Sequence, residues 1–131
     1  MLNGIVASLT MTLCLVLAAA SAQSQTWPSK PIRYIVPFPP GGGTDVLART
    51  IAPKLGDGLG QQVVIDNRSG AGGMIGVELA AKSPPDGYTL VIATVGQISI
   101  NPSLYAKMPF DPVKDLAPVT LAGDIFNLKV E

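Results

Sequence analysis

Three short stretches of the chain hold residue types able to do chemistry. Pro37-Phe38-Pro39-Pro40-Gly41-Gly42-Gly43-Thr44-Asp45 sets three consecutive glycines between an apolar run and an amphipathic one. A glycine has no Cβ to shield the main chain, so its N–H can meet an anion directly. A helix starting there adds roughly half a positive charge at its N-terminus. Asn67-Arg68-Ser69-Gly70-Ala71-Gly72-Gly73 repeats the device with one cation, and Thr94-Val95-Gly96-Gln97-Ile98-Ser99 is the third stretch. Together they offer backbone amides, the hydroxyls of Thr44, Ser69 and Thr94, and Arg68. That set suits a small carboxylate better than a polyphosphate.

Composition removes most competing chemistry. Among 131 residues there is no histidine and a single cysteine. Ser-His-Asp and Cys-His catalysis, imidazole metal ligation, a disulfide and an all-thiolate zinc site are therefore excluded. Nine basic and nine acidic residues give a formal charge of zero, against nucleic acid, whose phosphates demand a cationic face. A Walker A loop needs Gly-Lys-Ser/Thr before its helix, and here that place reads Gly-Gly-Thr-Asp. A dinucleotide fingerprint has Gly41 and Gly43, with Asp66 about 20 residues on as a ribose carboxylate. Its third glycine falls on Val46, and Asp45 places a negative charge beside the pyrophosphate.

Each residue also has a plainer reading. Gly70 to Gly73 equally mark a left-handed turn. Asp45 stands four before Arg49, the spacing of a helix ion pair, and Thr44 reads as a helix cap. Arg68 reads first as a solvated surface charge. Trp27 and Phe38 are packing groups, Phe38 the better placed to line a cleft. Asp111 and Asp115 read as surface and cap residues.

The elements that must position these loops follow from apolar patterning. Ile32 to Val36, Val63 to Ile65 and Tyr88 to Val95 are near-continuous apolar runs, the pattern of buried parallel strands. Leu47, Ile51, Leu55 and Leu59 recur every four residues over Thr44 to Leu59, an amphipathic helix. Pro53 is expected to kink or break it, and Gly56, Gly58 and Gly60 to stop it. A second helix is expected over Met74 to Ser83, with Ile75 and Leu79 on one face, ending at the turn Pro84-Pro85-Asp86-Gly87. This order implies an α/β fold with a parallel sheet, strand one in the middle, and all three loops at the carboxyl edge where such sheets bind ligands. Asn101-Pro102 is expected to cap and open a short turn closed by Pro109, and Asp111-Pro112 to repeat it. Val119 to Ala122 could begin another strand.

The N-terminal run Ile5 to Ala20 carries no charge and is followed by Ala20-Ser21-Ala22, a small-x-small pattern. It is short for a membrane span and lacks the Lys or Arg of a stop-transfer flank, so it reads as an export signal over residues 1–22. Cys14 lies within it behind Leu13, which disfavours lipid attachment. Residues 23–131 then form one small α/β unit.

Several multi-residue motifs stand in one order between Trp27 and Thr120: WPSKPIR, PFPPGGGTDVLAR, IAPKLGDGLGQQVVIDNRSGAGGMIG, AKSPPDGYTL and INPSLYAKMPFDPVKDLAPVT. They resemble the N-terminal part of the Bug-type extracytoplasmic solute-binding proteins, the receptors of tripartite tricarboxylate transporters. The resemblance implies an incomplete lobe of a periplasmic-binding-protein-like (Venus flytrap) fold: a parallel sheet with flanking helices. It implies a periplasmic receptor for small carboxylates that delivers its ligand to membrane transporter subunits. It further implies ligand contacts at Phe38, Gly41, Gly42, Gly43, Thr44 and Asp45, at Ala71, Gly72 and Gly73, and at Thr94 and Gly96. Many would run through ordered water, which needs no dedicated cation. No catalytic residue, cofactor or metal ion is expected.

Members of that family are more than twice as long, so the chain is expected to be a fragment or truncated product lacking the second lobe. One lobe alone cannot close over a ligand, and an open sheet edge and core face are expected. Two other readings stay open: the nucleotide-binding lobe of an oxidoreductase, on Gly41, Gly43 and Asp66, and a truncated remnant without function.

Overall fold

A computed structural model describes residues 27–123. The expected export signal lies outside them, as do residues 124–131. Strands β1 (Ile32–Val36), β2 (Val63–Asn67) and β3 (Thr89–Val91) form a parallel sheet in the order β2-β1-β3. The central place of β1 is the one the alternation of strands and helices predicts. Ile32 stands opposite Val63, Val36 opposite Asn67, and Arg33 opposite Thr89.

Side chains alternate across a strand, and this register sorts the sheet into two faces. Tyr34 and Val36 point to the face covered by helix α1 (Gly43–Leu59), where they bury against Ala48, Ala52 and Ile92. On the other face, α2 (Met74–Ala81) packs Met74 and Val77 with Phe110, Val91 and Ala93. This second layer stops short of β2. Val64 remains 44% exposed there, above a concavity of about 370 Å³ that Arg33, Asp66 and Arg68 help line.

Several local expectations need correction. α1 runs unbroken through Pro53. The proline is exposed, so the Arg49 carbonyl that loses its partner faces the side where water can serve it. Gly56 and Gly58 lie inside the helix, and the stop is Gly60 alone, left-handed at φ 67° with its N–H on the Gly56 carbonyl. α2 ends at Ala81, and its buried positions are Met74, Gly76 and Val77, while Ile75 is 51% exposed. A Cβ on Gly76 would stand 2.7 Å from the Arg68 carbonyl oxygen and 2.8 Å from Pro37 Cα. The closest approach of α2 to the chain beneath thus selects a glycine, and the apolar spacing alone mistook the face.

β2 extends to Asn67 and β3 shortens to Thr89–Val91. The π-turn Gly96–Ile100 leads directly into helix α3 (Asn101–Leu104), so Asn101 is its first residue and not its cap. That turn ends at the extended Tyr105, before Pro109. At Asp111-Pro112 the cap device does appear: Asp111 Oδ1 accepts from the N–H groups of Val113 and Lys114, and Asp115 Oδ2 accepts from Asp111 N–H. Residues 119–122 have no strand pairing.

Candidate functional site

Parallel strands send their following loops to one edge, and here the loops meet. A Cβ on Gly73 in the second loop would lie 3.3 Å from Phe38 Cζ of the first and 2.5 Å from Gln97 Nε2 of the third. Phe38 is half-buried beside this junction.

In the first loop, Gly41 turns left-handed at φ 85°. Gly42 caps α1 and no side chain caps it, so Thr44 does not play the expected role. The N–H groups of Gly43, Thr44 and Asp45 belong to the first helical turn, which has no intrahelical acceptor for them. Their neighbour Asp45 is only 2% exposed, and its carboxylate is fully engaged by its own chain. Oδ2 accepts from Gly41 N–H at 2.9 Å and Arg49 Nε at 2.8 Å, and Oδ1 from Asn67 Nδ2 at 2.9 Å. Bonds from Arg49, Gly41 and Asn67, in that order of weight, hold this carboxyl well below the usual carboxylate range. Asn67 Nδ2 also reaches the Phe38 carbonyl at 3.1 Å. The end of β2 therefore clasps the first loop at two points, and Arg49 offsets the charge of Asp45.

The second loop is a 3-10 turn, Ala71–Gly73, leading into α2. Gly70, Gly72 and Gly73 all have positive φ, and so does Ala71 at 48°, a conformation that L residues rarely adopt. Gly72 and Gly73 are left-handed, as one reading of these glycines has it, whereas Gly70 at φ 134°, ψ 153° is extended with positive φ. Gly73 N–H donates to Gly70 O and Met74 N–H to Ala71 O. Among the described residues no acceptor is recorded for the N–H of Ala71 or Gly72.

In the third loop, Thr94 turns inward. Its N–H and hydroxyl both donate to Gln97 Oε1, at 2.8 and 2.7 Å, and Gln97 Nε2 donates to the Gly72 carbonyl at 2.5 Å. Gly96 stands close by, with its Cβ position 3.5 Å from Thr94 Oγ1. Gln97 is 2% exposed.

Arg68 points away from this junction toward Asp66 Oδ1 at 2.8 Å, remaining half exposed. Arg33 holds the same carboxylate from β1, its Nε 2.7 Å from Oδ2. Burial alone would raise the Asp66 carboxyl, but bonds from Arg33 and Arg68 outweigh it and hold it below its ordinary value. Asp66 is thus already occupied by two guanidinium groups, whereas a ribose would need it free.

Sequence reasoning did not single out Asn67 and Gln97, the two amide side chains that join the loops. Their signal was available only as position: an amide side chain directly after or within a glycine-bearing loop at a strand's carboxyl end. One concavity of about 790 Å³ lies elsewhere, between α1 and β2.

Residues 47–130 match the family described as "Tripartite tricarboxylate transporter family receptor". Protein BugT of Bordetella pertussis is 48% identical over 108 residues, covering 82% of this chain and 33% of that protein. A solved R. palustris protein with adipate is 47% identical with a TM-score of 0.62, over 66% of this chain and 29% of its own. MatC from Rhodopseudomonas palustris with bound malate is 36% identical with a TM-score of 0.65, over 68% and 30%. The chain spans about a third of the length of the curated relatives it matches.

Proposed function

The chain belongs to the tripartite tricarboxylate transporter receptor family, and from that premise we propose that it contributes the carboxylate-binding edge of a periplasmic receptor. In this reading residues 1–22 direct export and residues 23–131 supply part of one ligand-binding lobe. The ligand is a small organic acid, no catalytic step is performed on it, and membrane transporter subunits receive it.

A single observation carries the proposal: three loops converge at one sheet edge with their polar side chains turned inward and main-chain donors left facing out of the protein's own bonding. The first turn of α1 offers the amides of Gly43, Thr44 and Asp45, and the second loop those of Ala71 and Gly72. A carboxylate accepts several such bonds at once, and a helix N-terminus favours its charge. Asp45 does not repel it, because Arg49 neutralises that carboxylate. Phe38 offers an apolar wall, and water completes contacts where the donors stand too far for direct bonding. Two solved relatives carry dicarboxylates, adipate and malate, which fits a site with two groups of donors.

Calorimetric titration of the folded chain with adipate, malate and NAD tests this. Saturable binding of a dicarboxylate and none of NAD is the expected result. A folded chain that ignores both acids, or takes up NAD, overturns it.

A further inference from the structure

Gln97 holds a place that the export, packing and ligand readings do not explain. It is a polar side chain buried to 2% exposure at the junction of two loops. Its orientation is fixed by chemistry. Thr94 N–H is a donor only, so the oxygen of the carboxamide must face it, and the nitrogen then faces the Gly72 carbonyl, an acceptor only. A flipped amide would set donor against donor at one end and acceptor against acceptor at the other.

The bond to Gly72 acts on an unusual segment. The Gly72–Gly73 peptide is fixed at both ends, its carbonyl by Gln97 and its N–H by the Gly70 carbonyl. Around it four successive residues have positive φ, including the non-glycine Ala71. Such a backbone is held in place by its surroundings, since the chain alone does not favour it. A Cβ on Gly73 would collide with the same carboxamide, so the bare second loop and the buried glutamine fit each other.

We propose that Gln97 is a positioning residue: its carboxamide ties the third loop to the second and holds Ala71–Gly73 in the conformation that leaves the Ala71 and Gly72 amides unpaired. What those amides then serve rests on the receptor reading above. The tie itself does not, and it is measurable without ligand.

The test is residue-resolved amide hydrogen exchange on the full 15N-labelled chain, wild type against Gln97→Glu and Gln97→Met. Gln97→Glu keeps the shape and the acceptor for Thr94 but sets an acceptor against the Gly72 carbonyl. Gln97→Met removes both bonds. In each, exchange at Gly73 rises about fivefold to tenfold, the loss of one net hydrogen bond, and the amide shifts of Ala71 to Gly73 move. Exchange at Arg33 and Ile92, which are paired within the sheet, stays at the wild-type rate. Unaltered exchange at Gly73 in both glutamine variants overturns the proposal, and so does a uniform rise that includes the sheet amides. If Gln97→Met does not fold, Gln97→Glu decides alone. A parallel titration with adipate separates the two ideas: wild type that binds no adipate sinks the receptor reading, while the Gly73 rates still judge Gln97.

Discussion

The two ends of the same sheet are finished in opposite ways. At the amino edge, where β1 and β3 begin, side chains close the structure. Trp27 packs on Tyr88 with ring centroids 6.0 Å apart, Lys30 lies 4.2 Å over the Tyr88 ring and pairs with Asp86, and Ser29 N–H bonds the Tyr88 hydroxyl at 2.8 Å. At the carboxyl edge, Asp45, Asn67, Thr94 and Gln97 turn inward, and glycines carry the surface. The same polar chemistry that seals one end is used at the other to hold main chain open. In the receptor reading proposed above, the end that receives an anion differs from the end that only stops the sheet by where its side chains point.

Four substitutions sharpen that contrast, the largest effect first. Gly76→Ala drives a Cβ into the Arg68 carbonyl and Pro37, both main-chain or ring atoms that cannot swing aside. We expect a loss of about 2–3 kcal/mol, the cost of overpacking a tight contact, read as a lower midpoint in urea with adipate binding lost alongside. A melt indistinguishable from wild type would mean that α2 does not hold the carboxyl edge.

Asp45→Asn comes next. Asp45 is ionised in the folded state well below the usual range, so the unfolded chain binds its proton more readily. The stability it lends is fully present above the ordinary carboxylate pKa of about 4 and drains away as pH falls below it. The variant therefore shows a shallower loss of stability in acid, together with weaker adipate binding at neutral pH because Gly41 and Asn67 lose their charged acceptor. An acid limb identical to wild type in a pH-resolved urea series would contradict this.

At the opposite end, Trp27→Ala lowers the melting temperature by a few degrees through the lost aromatic contact and leaves adipate affinity as it was. A fall in affinity without a fall in stability would erase the distinction between the edges. Lys30→Ala has the smallest effect. Its pair with Asp86 is exposed at 3.4 Å, and such pairs contribute little. Thermal melts in low and high salt should superimpose on those of wild type.

The sheet was legible because buried parallel strands need apolar runs, and β1 falls on Ile32–Val36 as its composition dictates. The end of β2 was not, because Asp66 and Asn67 are polar for reasons of tertiary contact: each lies opposite β1 and bonds a partner far along the chain. β3 is shorter than its apolar run because its last residue pair with β1 is Val91 with Ile35, after which only the Ile92 N–H bond to the Ile35 carbonyl and the burial of Ile92 continue. The three loops and their glycines could be placed from sequence, since strand order alone brings them together. The inward turn of Thr94 and the bridging by Asn67 and Gln97 could not, because an amide side chain has no periodicity and its partners lie in another loop. The expected contact residues Phe38, Gly41 to Asp45, Ala71 to Gly73, Thr94 and Gly96 all lie at the carboxyl edge. Their parts differ, with Asp45 and Thr94 bonded within the protein and Gly43, Ala71 and Gly72 offering main chain.

Amide chemical-shift mapping of the 15N-labelled chain during titration with adipate tests the central claim most directly. Shifts concentrated at Gly43, Thr44, Ala71 and Gly72, saturating together, are the predicted result. Shifts concentrated instead at Arg33, Val64 and Arg68, where two guanidinium groups flank the uncovered face of β2, would show that side-chain cations and not bare main chain hold the acid.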